Sequence, residues 1–425
     1  MGFLQEQVSE INGIQLHTVS SNAFKTNSLI LRLKAPLSEK DVTIRALLPH
    51  VLQRGTASYP STTELRKYLD DLYGATLQVD LAKKGENHII TFRMEIPNEK
   101  FLKEKTPLLE KGIELLSEVL LSPPLQEGVF NQSIIEQEKR TLKQRIQAVY
   151  DDKMRYANLR LIQEMCKTEP YRLHVNGEKE HIDQISPQQL TDYYTNMLQH
   201  DEVDLFVIGD IENEQVADIV RKYFRLTKSN QQARAESVEK KIEKVNEVIE
   251  EQDITQGKLN IGYRTHTTYS DHDYYALQVF NGIFGGFPHS KLFLNVREKN
   301  SLAYYASSRV ESHKGLLMVM SGIEMKNYER ALTIIHEQME AMKKGDFTDK
   351  ELEQTKAVIK NQLLETIDTP YGMTEVLYHN VVAKTNRTIE EWIEGVEKVQ
   401  KDEIVQLAEK IQLDTVYFLK GGGSL

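Results

Sequence analysis

The sequence predicts an α+β fold made twice: two homologous lobes, each a mainly antiparallel sheet packed by helices. Three observations predict it. The order helix, helix, strand, strand appears after residue 40 and returns about 230 residues later. Hairpins and helix clusters are mixed instead of alternating strictly, which argues against a doubly wound parallel sheet. A chain of 425 residues exceeds one ordinary core and suits two.

The first half begins the pattern with an apolar-striped helix from Asp41 to Gly55, started by the capping-box string Ser38-Glu39-Lys40-Asp41. Ser61-Thr62-Thr63-Glu64 starts a second helix that runs to about Tyr73. Two strands follow. Leu77, Val79 and Leu81 alternate in the first, and Ile90, Phe92, Met94 and Ile96 in the second, around the turn Lys84-Gly85-Glu86-Asn87. The second half repeats the order. It has a helix from Asp271 to Phe284 capped by Ser270, a helix from His289 to Arg297, and strands Leu302 to Val310 and Leu316 to Ile323. Longer helices are expected at Phe130 to Val149, Met154 to Cys166, Gln188 to Met197, Tyr328 to Met342 and Thr348 to Ile367. Each half closes on a short apolar strand, Val203 to Gly209 and Thr415 to Leu419. The polar stretch 228–244 reads as a linker, which divides the chain into lobes 1–227 and 245–425.

Composition narrows the function. The chain is 40% hydrophobic and 27% charged, which excludes a disordered or fibrous protein. Its formal charge of -10 opposes nucleic-acid binding, and Lys139, Arg140 and Lys143 to Arg145 sit among acids as a solvated helix face. No run is long and apolar enough for a membrane span, and the N-terminus lacks the basic and apolar regions of a secretory signal. Cys166 stands alone, so it forms no intrachain disulfide and reads as a buried structural thiol. The expected location is cytoplasmic. No phosphate loop is present, because Gly282, Gly285 and Gly286 follow a helix instead of a strand.

One stretch, Leu47-Leu48-Pro49-His50-Val51-Leu52-Gln53-Arg54-Gly55-Thr56, resembles the metal-site helix of the pitrilysin and mitochondrial-processing-peptidase family, the inverted zincins with signature H-x-x-E-H. The resemblance extends from about Gly13 to Leu419 and implies a clamshell of two lobes. Within the family it is most similar to bacterial paralogues that lack the zinc motif and tend to accompany a zinc-bearing sister. Zinc needs two imidazoles on one helix face and a carboxylate, with a position left for water. Ala46 stands at the first histidine of the motif, Pro49 at the glutamate that would be the general base, and His50 alone remains. The family's third ligand, a glutamate on a later helix, aligns with Arg145 in Ile135 to Ile146, or with Gln144 on a one-residue slip, which is no better a ligand. A cation there opposes a metal, and a proline inside a helix costs about 3 kcal/mol or more. The expectation is no catalytic residue and no metal in this chain's own motif; His50 is a core or cleft histidine.

Two other histidine strings carry less. His336-Glu337-Gln338-Met339-Glu340 imitates a zinc motif, but Leu332, Ile335 and Met339 point inward and leave His336 and Glu337 facing solvent. His174 and His181 have the wrong spacing and read as loop.

The resemblance also implies a substrate-binding pair. In this family an Arg and a Tyr seven residues apart, at a helix end and a strand start of the second half, face the zinc and hold the substrate. Arg297 and Tyr304 match in type, spacing and context. Arg297 paired with Glu298 or Glu311, and Tyr304 packed beside Tyr305, is the plain alternative. The implied function is a non-catalytic subunit of a heterodimeric zinc peptidase acting on peptides. It would have no cofactor of its own and would supply Arg297 and Tyr304 to a zinc-bearing sister subunit, or act as a homo-oligomer. The alternatives are a structural scaffold without proteolytic role and an active peptidase with an atypical site.

Overall fold

The computed structural model describes residues 5–103, 106–226 and 242–422. They divide into two compact units. One is Met1–Ala148 with Leu173–Glu236, the other Val149–Arg172 with Ser237–Leu425. Most of the expected linker, residues 228–241, lies outside the described residues.

The first unit is a six-stranded sheet of Glu6–Ile11 (β1), Ile14–Ser20 (β2), Thr26–Pro36 (β3), Thr76–Lys84 (β4), Asn87–Pro97 (β5) and Glu202–Gly209 (β6), in the order β1-β2-β6-β3-β5-β4. Only β2 and β6 run parallel. The second unit holds Asn246–Gln252 (β7), Gly257–Arg264 (β8), Ala303–Glu311 (β9), Leu316–Ile323 (β10) and Gln412–Gly421 (β11), in the order β7-β11-β8-β10-β9, with β7 and β11 parallel. Without β1, the two sheets share one succession of strands and one parallel pair in the same place. The repeat read from the sequence is therefore a repeat of topology.

Burial explains why the strands sit where they do. The edge strand β4 alternates between exposed and half-buried residues, as a one-sided strand should. The central β3 is buried over Asn27 to Lys34, on both faces. Its inner polar side chains are held by ions: Lys34 pairs with Glu202 at 2.7 Å. β1 is tied to β2 and β6 by buried His17, whose Nδ1 lies 2.7 Å from Glu6 and whose Nε2 lies 3.1 Å from Asp204; the ring stacks on Phe206. Burial opposes the charge on His17, but the hydrogen bonds to Asp204 and Glu6 outweigh it and push its pKa up to about 9. A group whose pKa rises on folding stabilises the fold fully below its unfolded value near 6.5, and that stability is lost as pH rises through 9. His17→Gln is therefore expected to destabilise the chain by about 3 kcal/mol at neutral pH and by much less near pH 10. Chemical denaturation at both pH values measures it, and an equal deficit at both would refute it.

Helix α1 (Val42–Leu52) lies under this sheet with ten of its eleven residues buried. It begins at Asp41, which makes no side-chain cap; Ser38 Oγ donates to the Asp41 carboxylate instead of closing the expected capping box. Buried Arg45 ties α1 to β3 and β5 by donating to the Leu33 and His88 carbonyls at 2.9 and 3.2 Å, and pairs with Asp201 at 2.6 Å. Helix α2 (Thr62–Asp71) starts with the full capping box of Ser61 and Glu64, as predicted. Helices α3 (Leu108–Leu121) and α4 (Gln132–Asp151) complete the part of this unit that matters for the site. On α4, Lys139 is buried and its ammonium contacts Glu136 and the Asp183 carbonyl, so the basic run is not wholly a solvated face.

In the second unit the helix predicted from Asp271 starts later, at Tyr274, with Asp273 and not Ser270 at its cap; Ser270 Oγ bonds to Thr268. The helix Tyr274–Asn281 then widens into a π-helix over Gly282–Gly286. A second difference concerns α5 (Lys153–Met165). The linker position places this helix in the first lobe, yet 149–172 belongs to the second unit. The reason is local. Leu161 and Met165 approach the backbone of β8 so closely that a Cβ on Gly262 would lie 2.6 Å from the Met165 sulfur. Beyond the helix, Glu169 and the Met165 carbonyl accept from buried Arg264 of β8.

Candidate functional site

Pro49 sits inside α1 without ending it. The Gln53 amide still donates to the Pro49 carbonyl at 3.0 Å, so the helix closes its last turn after the defect. A helix buried all round is held by packing, which is how a proline is accommodated at a cost of about 3 kcal/mol. Ala46 is fully buried in the core, on the side where the first ligand would have been. His50, one residue after the proline, is buried and lines a cleft of about 240 Å³. Arg145 of α4 lines the same cleft, so the structure brings these two positions of the motif together.

The electrostatics of the cleft follow from its charges. Burial lowers the pKa of His50 most, the Arg145 and Arg54 charges lower it further, and it falls to about 3. The imidazole is neutral at any ordinary pH. Glu138, also buried, accepts from Arg54 through Nε at 2.6 Å and also through Nη2. Arg54, Arg66 and Glu138 escaped the sequence reading. Glu138 lies seven residues before Arg145 on α4, two turns away and so on one face, which is the signal that could have found it.

A zinc ion does not fit this donor set. One neutral imidazole remains, its neighbouring carboxylate is bound to an arginine, and another arginine stands at the third ligand position. Among the described residues no three His, Cys, Asp or Glu side chains are grouped to hold a metal. The purified chain is expected to hold well under one zinc per molecule and to hydrolyse no peptide alone. Elemental analysis with a peptidase assay checks this; stoichiometric zinc that a chelator removes together with activity would overturn it.

The other pair lies in the second unit. Arg297 is in the π-helical turn Phe293–Lys299, half exposed, its guanidinium 4.6 Å from the Phe293 ring centre and 3.6 Å from the Glu298 carboxylate. Ser301 takes a left-handed conformation (φ 52°) where the chain turns into β9. Tyr304, second in that strand, is 65% exposed, and among the described residues its hydroxyl has no hydrogen-bond partner. It is not a core residue. Neighbouring Tyr305 is the more buried of the two.

The remaining strings resolve simply. Cys166 is buried at the end of α5, with the Arg264 guanidinium 3.8 Å from its sulfur. His336 is half buried, not solvent-facing; its Nε2 is buried with no partner among the described residues, and burial lowers its pKa. His174 is half-buried in the loop after Arg172, and desolvation with the charge of Lys83 lowers its pKa to about 4.

A twice-built sheet topology with a degenerate H-x-x-E-H helix under the first sheet defines a metallopeptidase-type chain in which one of the motif's metal ligands, His50, remains. The chain belongs to the peptidase M16 family. The profile of the peptidase M16 inactive domain matches residues 184–359. Over 423 residues, 99% of each sequence, the chain is 58% identical to the probable inactive metalloprotease YmfF of Bacillus subtilis (strain 168). It is 25% identical over 298 residues, 67% of this chain and 69% of the other, to the uncharacterized zinc protease YmxG of that strain. To the beta subunit of the mitochondrial-processing peptidase of Saccharomyces cerevisiae it is 24% identical over 330 residues, covering 73% and 69%. The crystal structure of a conserved protein from Enterococcus faecalis V583 superposes with a TM-score of 0.91 at 33% identity, over 99% of both chains. Among the described residues no helix is long and apolar enough to cross a membrane.

Proposed function

We propose that this chain is the non-catalytic subunit of a heterodimeric zinc metallopeptidase that acts on peptides in the cytoplasm. In this reading it presents Arg297 and Tyr304 to substrate held at the metal of a sister subunit. One observation carries the reading. Among the described residues, a chain without a zinc ligand set keeps a large, exposed tyrosine with an unpartnered hydroxyl at the start of a strand, and a half-exposed arginine in the helical turn before it. A core role would have buried the ring and paired the hydroxyl. Similarity to a subunit of the mitochondrial-processing peptidase, and to a zinc protease, supports a paired arrangement.

The chemistry required of the pair is modest. The Arg297 fork donates to a peptide carbonyl or carboxylate and fixes the backbone. The Tyr304 hydroxyl donates to the oxygen on which charge develops. The partner's zinc supplies the Lewis acid and the activated water. The test is to tag this chain in its native cell, identify what co-purifies, and assay peptide hydrolysis by each chain and by the mixture. The expected result is a co-purifying chain with an intact H-x-x-E-H motif and activity in the mixture alone. A zinc-bearing partner equally active without this chain would leave it the role of a scaffold.

A further inference from the structure

We propose that the cleft standing in place of the metal site binds a peptide carboxylate, either a chain terminus or a Glu or Asp side chain. The inference rests on the proposed function only in taking the ligand to be a peptide. It follows from the charges around the cleft. Three arginines line it, Arg54, Arg66 and Arg145, against one carboxylate, Glu138. Glu138 is already bound by two nitrogens of Arg54, and that pair is neutral. Arg66 and Arg145 have no carboxylate partner among the described residues. Guanidinium groups do not deprotonate in proteins, so the cleft carries an excess positive charge at every working pH.

The polar neutral groups in the wall are engaged elsewhere. Gln53 donates to the Leu77 carbonyl at 2.8 Å, Thr62 to the Arg54 carbonyl at 3.1 Å, and Thr141 to the Gln137 carbonyl at 3.1 Å. The charged donors left are the forks of Arg66 and Arg145, whose planar geometry matches a carboxylate, with the ring N–H of His50 beside them. His50, held neutral chiefly by its burial, adds no further cation. An arginine in place of a ligand therefore inverts the sign of the pocket: what once suited a cation suits an anion.

The test uses the full chain and three fluorescent peptides of one sequence: a neutral amidated peptide, the same peptide with a free C-terminus, and an amidated peptide with one central Glu. Anisotropy at low salt is expected to show at least one acidic peptide binding about tenfold or more tightly than the neutral one, as loss of a charge-assisted contact implies. Which acidic peptide binds names the source of the carboxylate. Arg145→Glu and Arg66→Glu should each abolish the preference. Both side chains are exposed, and unchanged thermal melting would show that the fold is intact. Equal binding of all three peptides overturns the proposal, as does a preference that survives Arg145→Glu. Displacement by inorganic phosphate at lower concentration than by the acidic peptide also overturns it, because the site would then be one for phosphate. These measurements need no partner. A failure here leaves the Arg297 and Tyr304 reading standing, and a failure of that reading in the assembled enzyme leaves the anion preference measurable.

Discussion

On the proposed function, replacing Tyr304 by Phe is expected to lower the turnover of the heterodimeric peptidase about 100–1,000-fold, the loss typical of one oxyanion donor. The substitution keeps the ring and removes only the hydroxyl, which has no partner among the described residues. No packing or internal hydrogen bond is lost, so assembly and the partner's zinc content should be unchanged. Arg297→Ala should act in the same direction with a larger rise in KM, since in the proposed role the guanidinium would hold the substrate. Its contacts with Phe293 and Glu298 are surface contacts and contribute little to folding. Steady-state kinetics of reconstituted complexes, with size and metal content measured in parallel, decide the matter. Variants that match the wild type would remove the pair from the mechanism.

Arg264→Leu is expected to destabilise the chain by about 3–5 kcal/mol, the usual consequence of stripping a buried charge of its partner. Arg264 donates to Asp414 at 2.8 Å, to both oxygens of Glu169 at 2.6 and 3.0 Å, and to the Met165 carbonyl at 2.9 Å. Glu169 would keep Lys314 at 2.6 Å but lose its bidentate neighbour. Burial alone would raise the Glu169 pKa; hydrogen bonds from Arg264 and Lys314 outweigh burial and hold it below the ordinary value. The variant's deficit should therefore narrow in acid, where the abandoned Glu169 carboxylate takes up a proton. Urea denaturation at neutral and acid pH reads both effects. A deficit under 1 kcal/mol would show that the network contributes specificity and not stability.

Local chemistry was legible where it is self-contained. The Ser61 capping box, the strand Leu316–Ile323 and the long helices from Tyr328 and Thr348 stand close to where spacing puts them, because caps and periodicity are written within a few residues. β3 was not legible. Its run Leu29 to Leu33 is buried on both faces, so it lacks the alternation that marks a strand. α5 was recognised as a helix but not as part of the second unit: periodicity shows that a helix has a buried face, not which sheet covers it. At the site, Ala46, Pro49 and Arg145 could be read by comparison with a motif. The Arg54–Glu138 pair joins residues 84 apart, so the spacing of Glu138 from Arg145 on α4 could mark its face but not its partner.

The place of α5 also orders events during synthesis. Residues 149–172 emerge about 90 residues ahead of β8, whose Gly262 and Arg264 receive them. Until β8 and β11 have left the ribosome, the apolar side of this helix has no sheet to cover it, and Glu169 has no cation from β8 or from the Lys314 turn. A fragment cut at the polar stretch before β7 would inherit the same defect in both pieces, a stray helix in one and a bare glycine groove in the other. The second unit thus needs residues 149–172 as well as 237–425, and the natural break for a stable fragment is not the break the sequence displays.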